Sequence, residues 1–182
     1  MDKKAPASAM IYLLRHAHSA WARPGQRDFD RPLDERGIED AQIVGAALAQ
    51  RERLPQLVLC STASRCRQTC DIVLSHLTNP PRVEYVDALY SNDYRYYVEL
   101  LSQQTVSPVM LIGHNPMMED TTRFLSATAR DRPGQRLQKG FPTAGLAMIE
   151  FDMPLASIDQ GGHLNEFLSP KRLRKLAQRI DG

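Results

Sequence analysis

Three short apolar runs punctuate the chain: Met10-Ile11-Tyr12-Leu13-Leu14, Leu57-Val58-Leu59-Cys60 and Val109-Met110-Leu111-Ile112. Unbroken runs this short read as strands buried on both faces, because a half-exposed strand alternates and a helix needs about ten residues or more. Between them the spacing turns helical. Asp34 is placed to cap a helix running to about residue 52, with Ile38, Ala41, Gly45 and Leu48 on one face. A second helix over 64–77 turns Cys66, Cys70, Val73 and Leu77 inward and is closed by Asn79-Pro80-Pro81. Residues 82–86 alternate, with Val83 and Tyr85 on one side, as an edge strand would. Helices follow over 93–104 and 116–126, the latter with Pro116 in its first turn. Residues 129–142 are polar around Pro133-Gly134 and read as an exposed loop. Strand patterns return at 143–151 and 162–168. Ser169-Pro170 then makes a cap and first turn for a final helix striped by Leu173, Leu176 and Ile180. Alternating strands and helices predict an α/β fold whose mostly parallel sheet is covered on both faces.

A chain of 182 residues, 42% of them apolar, has room for one well-filled core. It divides into a mobile tail over 1–9 and a single domain over 10–182. A net charge of +2 gives no sign of nucleic-acid binding. The basic cluster Lys171, Arg172, Arg174, Lys175 and Arg179 reads as a solvated helix face. Cys66 and Cys70 lie one helical turn apart and read as small packed hydrophobes, and with Cys60 their odd number argues against a disulfide framework. No stretch reaches the roughly 18 apolar residues of a membrane span, and the short polar start shows no secretory signal. The expectation is a reduced, cytoplasmic protein with no membrane or nucleic-acid partner.

Chemistry enters where the apolar runs stop. The first ends in Arg15-His16, the second in Ser61-x-x-x-Arg65, the third in Gly113-His114. Ligands of open α/β sheets bind beyond the carboxyl ends of strands. If the three runs share a sheet, two guanidinium groups and two imidazoles converge there. Arg15 and Arg65 can clamp the outer oxygens of a phosphoryl group. A neutral His16 can attack phosphorus, and a protonated His114 can stabilise charge on the transferred group. Such a site needs no metal, because the arginines and a histidine already supply positive charge. The competing reading is a zinc site made by His16, His18 and His114. The loop over 15–33, with Trp21, Pro24-Gly25, Asp28, Asp30 and Arg31-Pro32, is long enough to be functional and is expected to cover the pocket.

Leu13-Leu14-Arg15-His16-Ala17 resembles the Arg-His-Gly signature of the histidine phosphatase superfamily, with alanine at the glycine position. Ser61-x-x-x-Arg65-x-x-Gln68-Thr69 is similar to that superfamily's second arginine motif, and Gly113-His114-Asn115-Pro116 to its second histidine motif. Asp30-Arg31-Pro32-Leu33 through Arg36-Gly37, Pro142-Thr143-Ala144 and Phe167-Leu168-Ser169-Pro170-Lys171 resemble the SixA-type phosphohistidine phosphatase branch. The resemblance implies a three-layer α/β/α sandwich like that of the phosphoglycerate mutases. It also implies a covalent phosphohistidine on His16, phosphoryl binding by Arg15, Arg65 and His114, and no cofactor.

Two departures bear on the substrate. Larger relatives, the phosphoglycerate mutases among them, carry an asparagine where this chain has Ala22. Mutases and many phosphomonoesterases also place a glutamate acid after the edge strand, where this chain has Ser91. Asp87 and Asp93 are the nearby carboxylates, and Asp93 is the candidate acid. An alkoxide leaving group needs a proton, and an acid supplies typically about 10²–10⁴-fold there, whereas imidazole leaving from a phosphohistidine needs less help. The expectation is a metal-independent phosphatase removing phosphate from phosphohistidine on a partner protein. The alternatives are a phosphatase for small phosphoesters and a non-catalytic phosphate-binding module.

Overall fold

The computed structural model describes residues 8–126 and 132–179. In chain order the strands are β1 (Ala9–Arg15), β2 (Leu57–Ser61), β3 (Arg82–Val86), β4 (Val109–Gly113), β5 (Leu146–Phe151) and β6 (His163–Leu168). They form one sheet in the order β3-β2-β4-β1-β5-β6. β5 pairs antiparallel with both neighbours, and every other pairing is parallel. The helices are α1 (Glu35–Ala49), α2 (Ser64–Leu74), α3 (Ala88–Ser91), α4 (Tyr94–Ser102), α5 (Met117–Leu125), α6 (Arg132–Leu137) and α7 (Pro170–Ala177).

Alternation along the strands feeds two cores. Ile11 and Leu13 pack with Tyr97, Leu101, Met118 and Leu125 on one side of the sheet. Tyr12 and Leu14 pack with Ala41, Val44, Leu48, Cys66 and Cys70 on the other. Helices therefore cover both faces, and the fold is the three-layer α/β/α sandwich. β2 and β4 are buried at every position, as their unbroken apolar runs predict. Burying each large apolar side chain contributes about 1.5–3 kcal/mol, which ties the sheet's geometry firmly to its sequence. Cys60, Cys66 and Cys70 are buried free thiols. No helix among the described residues is long and apolar enough to cross a membrane.

Several boundaries differ from expectation. Ala9 is not part of a tail: it is fully buried, opens β1 and pairs with Phe151, while residues 1–7 lie outside the described residues. Asp34 caps α1 as expected, its carboxylate accepting from Gly37 N at 2.8 Å. The buried face of α1 includes the expected Ala41, Gly45 and Leu48 but not Ile38. It runs Gly37, Asp40, Ala41, Val44, Gly45 and Leu48, and Ile38 is exposed. A polar residue sits on that face because Arg174 of α7 donates to Asp40 Oδ1 at 2.7 Å. α2 stops at Leu74, and Leu77 is buried beyond its end. The segment read as an exposed loop contains α6, which sinks Leu137, followed by the buried Phe141; residues 127–131 lie outside the described residues. Ser169 caps α7 by accepting from Arg172 N, but Leu176 faces solvent, and Ile180 lies outside the described residues.

Candidate active site

The register of the sheet brings three motifs to one edge. Arg15 pairs with Gly113 across β1 and β4, and Cys60 with Ile112 across β2 and β4. His16, Ser61 and His114 therefore leave the sheet side by side. Backbone bonds extend the alignment past the strands: His16 N donates to Gly113 O at 3.0 Å and Ala144 N to His16 O at 3.0 Å. Ala144 reaches that position at φ 52°, a left-handed conformation that costs a residue with a Cβ about 1–2 kcal/mol. Gly113 is required for close approach, because a Cβ there would lie 2.7 Å from the Tyr97 hydroxyl. That buried hydroxyl donates to Leu89 O at 2.7 Å and accepts from His114 N. The second motif is braced against the first, since Ala17 N donates to Thr69 Oγ1 at 3.0 Å and Leu33 N to Gln68 Oε1 at 2.7 Å.

Arg65 is the hub. It is buried, and its Nε donates to His16 Nε2 at 3.3 Å while Nη2 donates to His114 Nδ1 at 3.3 Å. The two rings lie 5.4 Å apart between centroids. Arginine can only donate, so the bonded nitrogen of each ring carries a lone pair. The other ring nitrogens hold the protons: His16 Nδ1 donates to Ala17 O at 2.7 Å, and His114 Nε2 to Ser61 Oγ at 2.8 Å. His16 thus presents Nε2 as a nucleophile with its tautomer fixed by the backbone. Arg15 is anchored by Nη1 donating to Phe141 O at 2.7 Å.

Burial, reinforced by His114, Arg65 and Arg15, pushes the His16 imidazole down to about 3, although its bond to Ala17 pulls the other way. Burial and Arg65 push His114 down to about 4. Both rings are therefore neutral near pH 7, so the expected imidazolium at His114 requires an anion beside it. A sign follows for stability. Below its ordinary pKa of about 6.5 each ring gains a proton in the unfolded chain but not in the folded one. The stabilisation is full above that pH and is lost as pH falls towards 3. Urea denaturation of His16→Gln is expected to show a stability slope shallower than the parent's by about 1.4 kcal/mol per pH unit between roughly pH 4 and 6. Equal slopes would mean that His16 titrates normally.

A cavity of about 310 Å³ opens over this cluster, lined by Arg15, His16, Arg65 and Thr143 together with His18, Ser19, Trp21 and Arg31 of the long loop. That loop also supplies Asp28, which sequence spacing did not single out. Asp28 O and Oδ2 accept from Arg65 at 2.7 and 3.0 Å, and Oδ1 accepts from Arg31 at 2.8 Å. The Tyr90 hydroxyl also donates to Oδ2 at 3.0 Å, and the Tyr90 ring packs edge-on against His114. Arg31, with Tyr90 and Arg65, holds the Asp28 carboxyl down at about 2, so it is ionised. Asp93, the candidate acid, is instead the N-cap of α4. Its Oδ1 accepts from Arg95 N and Tyr96 N, and it does not line the cavity. Asp87 accepts from the Thr62 hydroxyl. His18, grouped with His16 and His114 in the zinc reading, turns to Asp34, with Nδ1 2.6 Å from Oδ2. Among the described residues no group of three His, Cys, Asp or Glu side chains is placed to hold a metal ion.

The profile of the histidine phosphatase superfamily (branch 1) matches residues 11–100. An uncharacterised protein of Mycobacterium tuberculosis is 33% identical over 158 residues, which cover 81% of this chain and 93% of the relative. The crystal structure of a proposed phosphohistidine phosphatase SixA from Agrobacterium tumefaciens superposes with a TM-score of 0.77 at 40% identity, covering 89% of this chain and 98% of that one. A second proposed SixA, from Nakamurella multipartitia, gives 0.76 at 27% identity, with 92% and 99% covered.

Proposed function

The chain belongs to the histidine phosphatase superfamily as a SixA-like phosphatase, and from that premise we propose that it removes phosphate from phosphohistidine on a partner protein, using His16 as a covalent relay and no metal ion. His16 Nε2 attacks phosphorus as the bond to the substrate's ring nitrogen breaks. The leaving imidazole departs neutral when its other nitrogen carries a proton. Water then attacks phosphorus on His16, releasing orthophosphate and restoring the neutral ring. Arg15 and Arg65 hold the outer oxygens throughout. Contact with the dianion raises the pKa of His114, so Nδ1 gains a proton and donates to the phosphoryl group while Ser61 keeps Nε2 oriented.

The observation that carries the choice of substrate is the state of Asp28. Its carboxylate sits on Arg65 but is held at about 2, so it cannot give a proton to an alkoxide near neutrality. The likeness to the Agrobacterium protein supports the same reading. One feature favours a second reading: His18 lines the cavity with its Nδ1 on Asp34, and such a pair could protonate a small ester's leaving oxygen.

The test compares kcat/KM for a phosphohistidine peptide, a sugar phosphate and an aryl phosphate in excess chelator. The peptide is expected to exceed the sugar phosphate by about 10²-fold or more, the scale of an absent acid. A sugar phosphate turned over equally well would reject this reading. If His18→Gln removed that ester activity alone, the second would take its place. Tight phosphate binding with no turnover on any substrate would leave a binding module.

A further inference from the structure

A larger cleft, of about 810 Å³, adjoins the phosphate cavity, and Thr143 lines both. Its volume falls within the roughly 300–1,000 Å³ of ligand-sized pockets. The walls come from α1, α6, the segment after α6, and α7, and they are strongly cationic. The two carboxylates that line it are already engaged. Asp40 bonds Arg174 at 2.7 Å and lies 3.7 Å from Arg36, and Glu119 accepts from Arg123 and from Phe141 N. Arg136, Lys139, Lys171 and Lys175 also line the cleft, and none of them forms an ion pair among the described residues. Four residues of the basic cluster that reads from sequence as a solvated face, Lys171, Arg172, Arg174 and Lys175, thus line a cavity that Arg136 and Lys139 also line.

We propose that this cleft binds an acidic stretch of the phosphorylated partner protein, carried by the same chain whose phosphate enters the neighbouring site. The proposal rests on the phosphohistidine reading above and adds a specificity surface to it. Charge complementarity chooses an anion, and the shared Thr143 makes the occupant continuous with the substrate. A peptide fits better than single-stranded nucleic acid, which needs aromatic faces for its bases. The cleft's aromatic residues, Phe141 and Phe167, are buried and packed edge-to-face on each other at 5.0 Å. Surface charges of this kind steer encounters and discriminate partners, and they weaken as salt screens them.

Fluorescence anisotropy of a labelled, unphosphorylated peptide rich in Asp and Glu tests the cleft without turnover. It is compared with the same peptide carrying Asn and Gln, and with a single-stranded oligonucleotide of equal charge. The acidic peptide is expected to bind about tenfold tighter than the neutral one, the sum of several exposed charge contacts. The advantage should shrink as salt rises from about 50 to 300 mM, and vanish in the variant combining Lys139→Glu, Lys171→Glu and Lys175→Glu. In parallel, phosphohistidine peptides with acidic and neutral flanks should differ about tenfold in kcat/KM with the parent and be nearly equal with the variant. Equal binding of both peptides, an unchanged preference in the variant, or oligonucleotide binding as tight as the peptide's would overturn the proposal. Absence of phosphohistidine turnover, with the binding preference intact, would instead reject the substrate reading and leave the cleft standing as a site for acidic peptides.

Discussion

Replacing His16 by alanine is expected to lower kcat by about 10⁴-fold or more while the protein stays folded, the scale reached when a covalent nucleophile is lost and its positioning groups remain. Among the described residues nothing else at the strand end offers a comparable lone pair. His114 Nδ1 is an acceptor too, but its ring, unlike that of His16, does not line the cavity. His18 faces Asp34. The structural cost of the substitution is small. The ring's bonds are to its neighbour's carbonyl and to Arg65, and removing it also relieves the penalty of keeping a neutral imidazole buried at low pH. Rapid acid-free quenching with labelled substrate should find one phosphoryl group on His16 of the parent, stable to alkali and lost in acid, and none on the variant. Retention of a tenth of the parent's turnover, or label found on another residue, would end the covalent scheme.

Strand interiors were the most legible part of the fold, and the reason is physical. β2 and β4 are covered by helices on both sides, so residues 57–60 and 109–112 had to be apolar, and the first break in each run, at Ser61 and Gly113, marks the edge where the site begins. The same logic brought Arg15, His16, Arg65 and His114 together, because parallel strands in one sheet share a carboxyl edge. Local chemistry was equally readable where it is self-contained, as at the Asp34 and Ser169 caps. Two misses were decided by a distant partner, and a third by a local cap. Ile38 fits a helical stripe, yet a buried Asp40 takes the core-facing place because an arginine from the last helix meets it there. Asp28 lies 37 residues from Arg65 in a stretch with no periodicity, and no spacing rule connects them. Asp93 had the right residue type beside the right strand, but an N-cap claims such a carboxylate first.

Arg65→Ala is the second large loss: kcat/KM is expected to fall by about 10³-fold, at the upper end of what one preorganised donor contributes. Arg65 contributes more than one bond. Its fork reaches both rings and both a carbonyl and a carboxylate of Asp28, so the same group sets the spacing of nucleophile, second histidine and loop. Lysine in its place keeps the charge but presents a point, not a planar fork, and is expected to recover less than a tenth of the loss. An independent readout comes from the rings. The arginine's positive charge lowers both His16 and His114, and removing it, with the solvent it admits, should raise both pKa values towards the ordinary 6.5. Titration of the imidazole resonances by nuclear magnetic resonance would show two upward shifts in Arg65→Ala and smaller ones in Arg65→Lys. Rings that titrate as in the parent would show that burial alone sets their state. If kcat/KM also fell less than tenfold, Arg65 would be a brace for the loop, and the phosphoryl clamp would have to be rebuilt around Arg15 and Arg31.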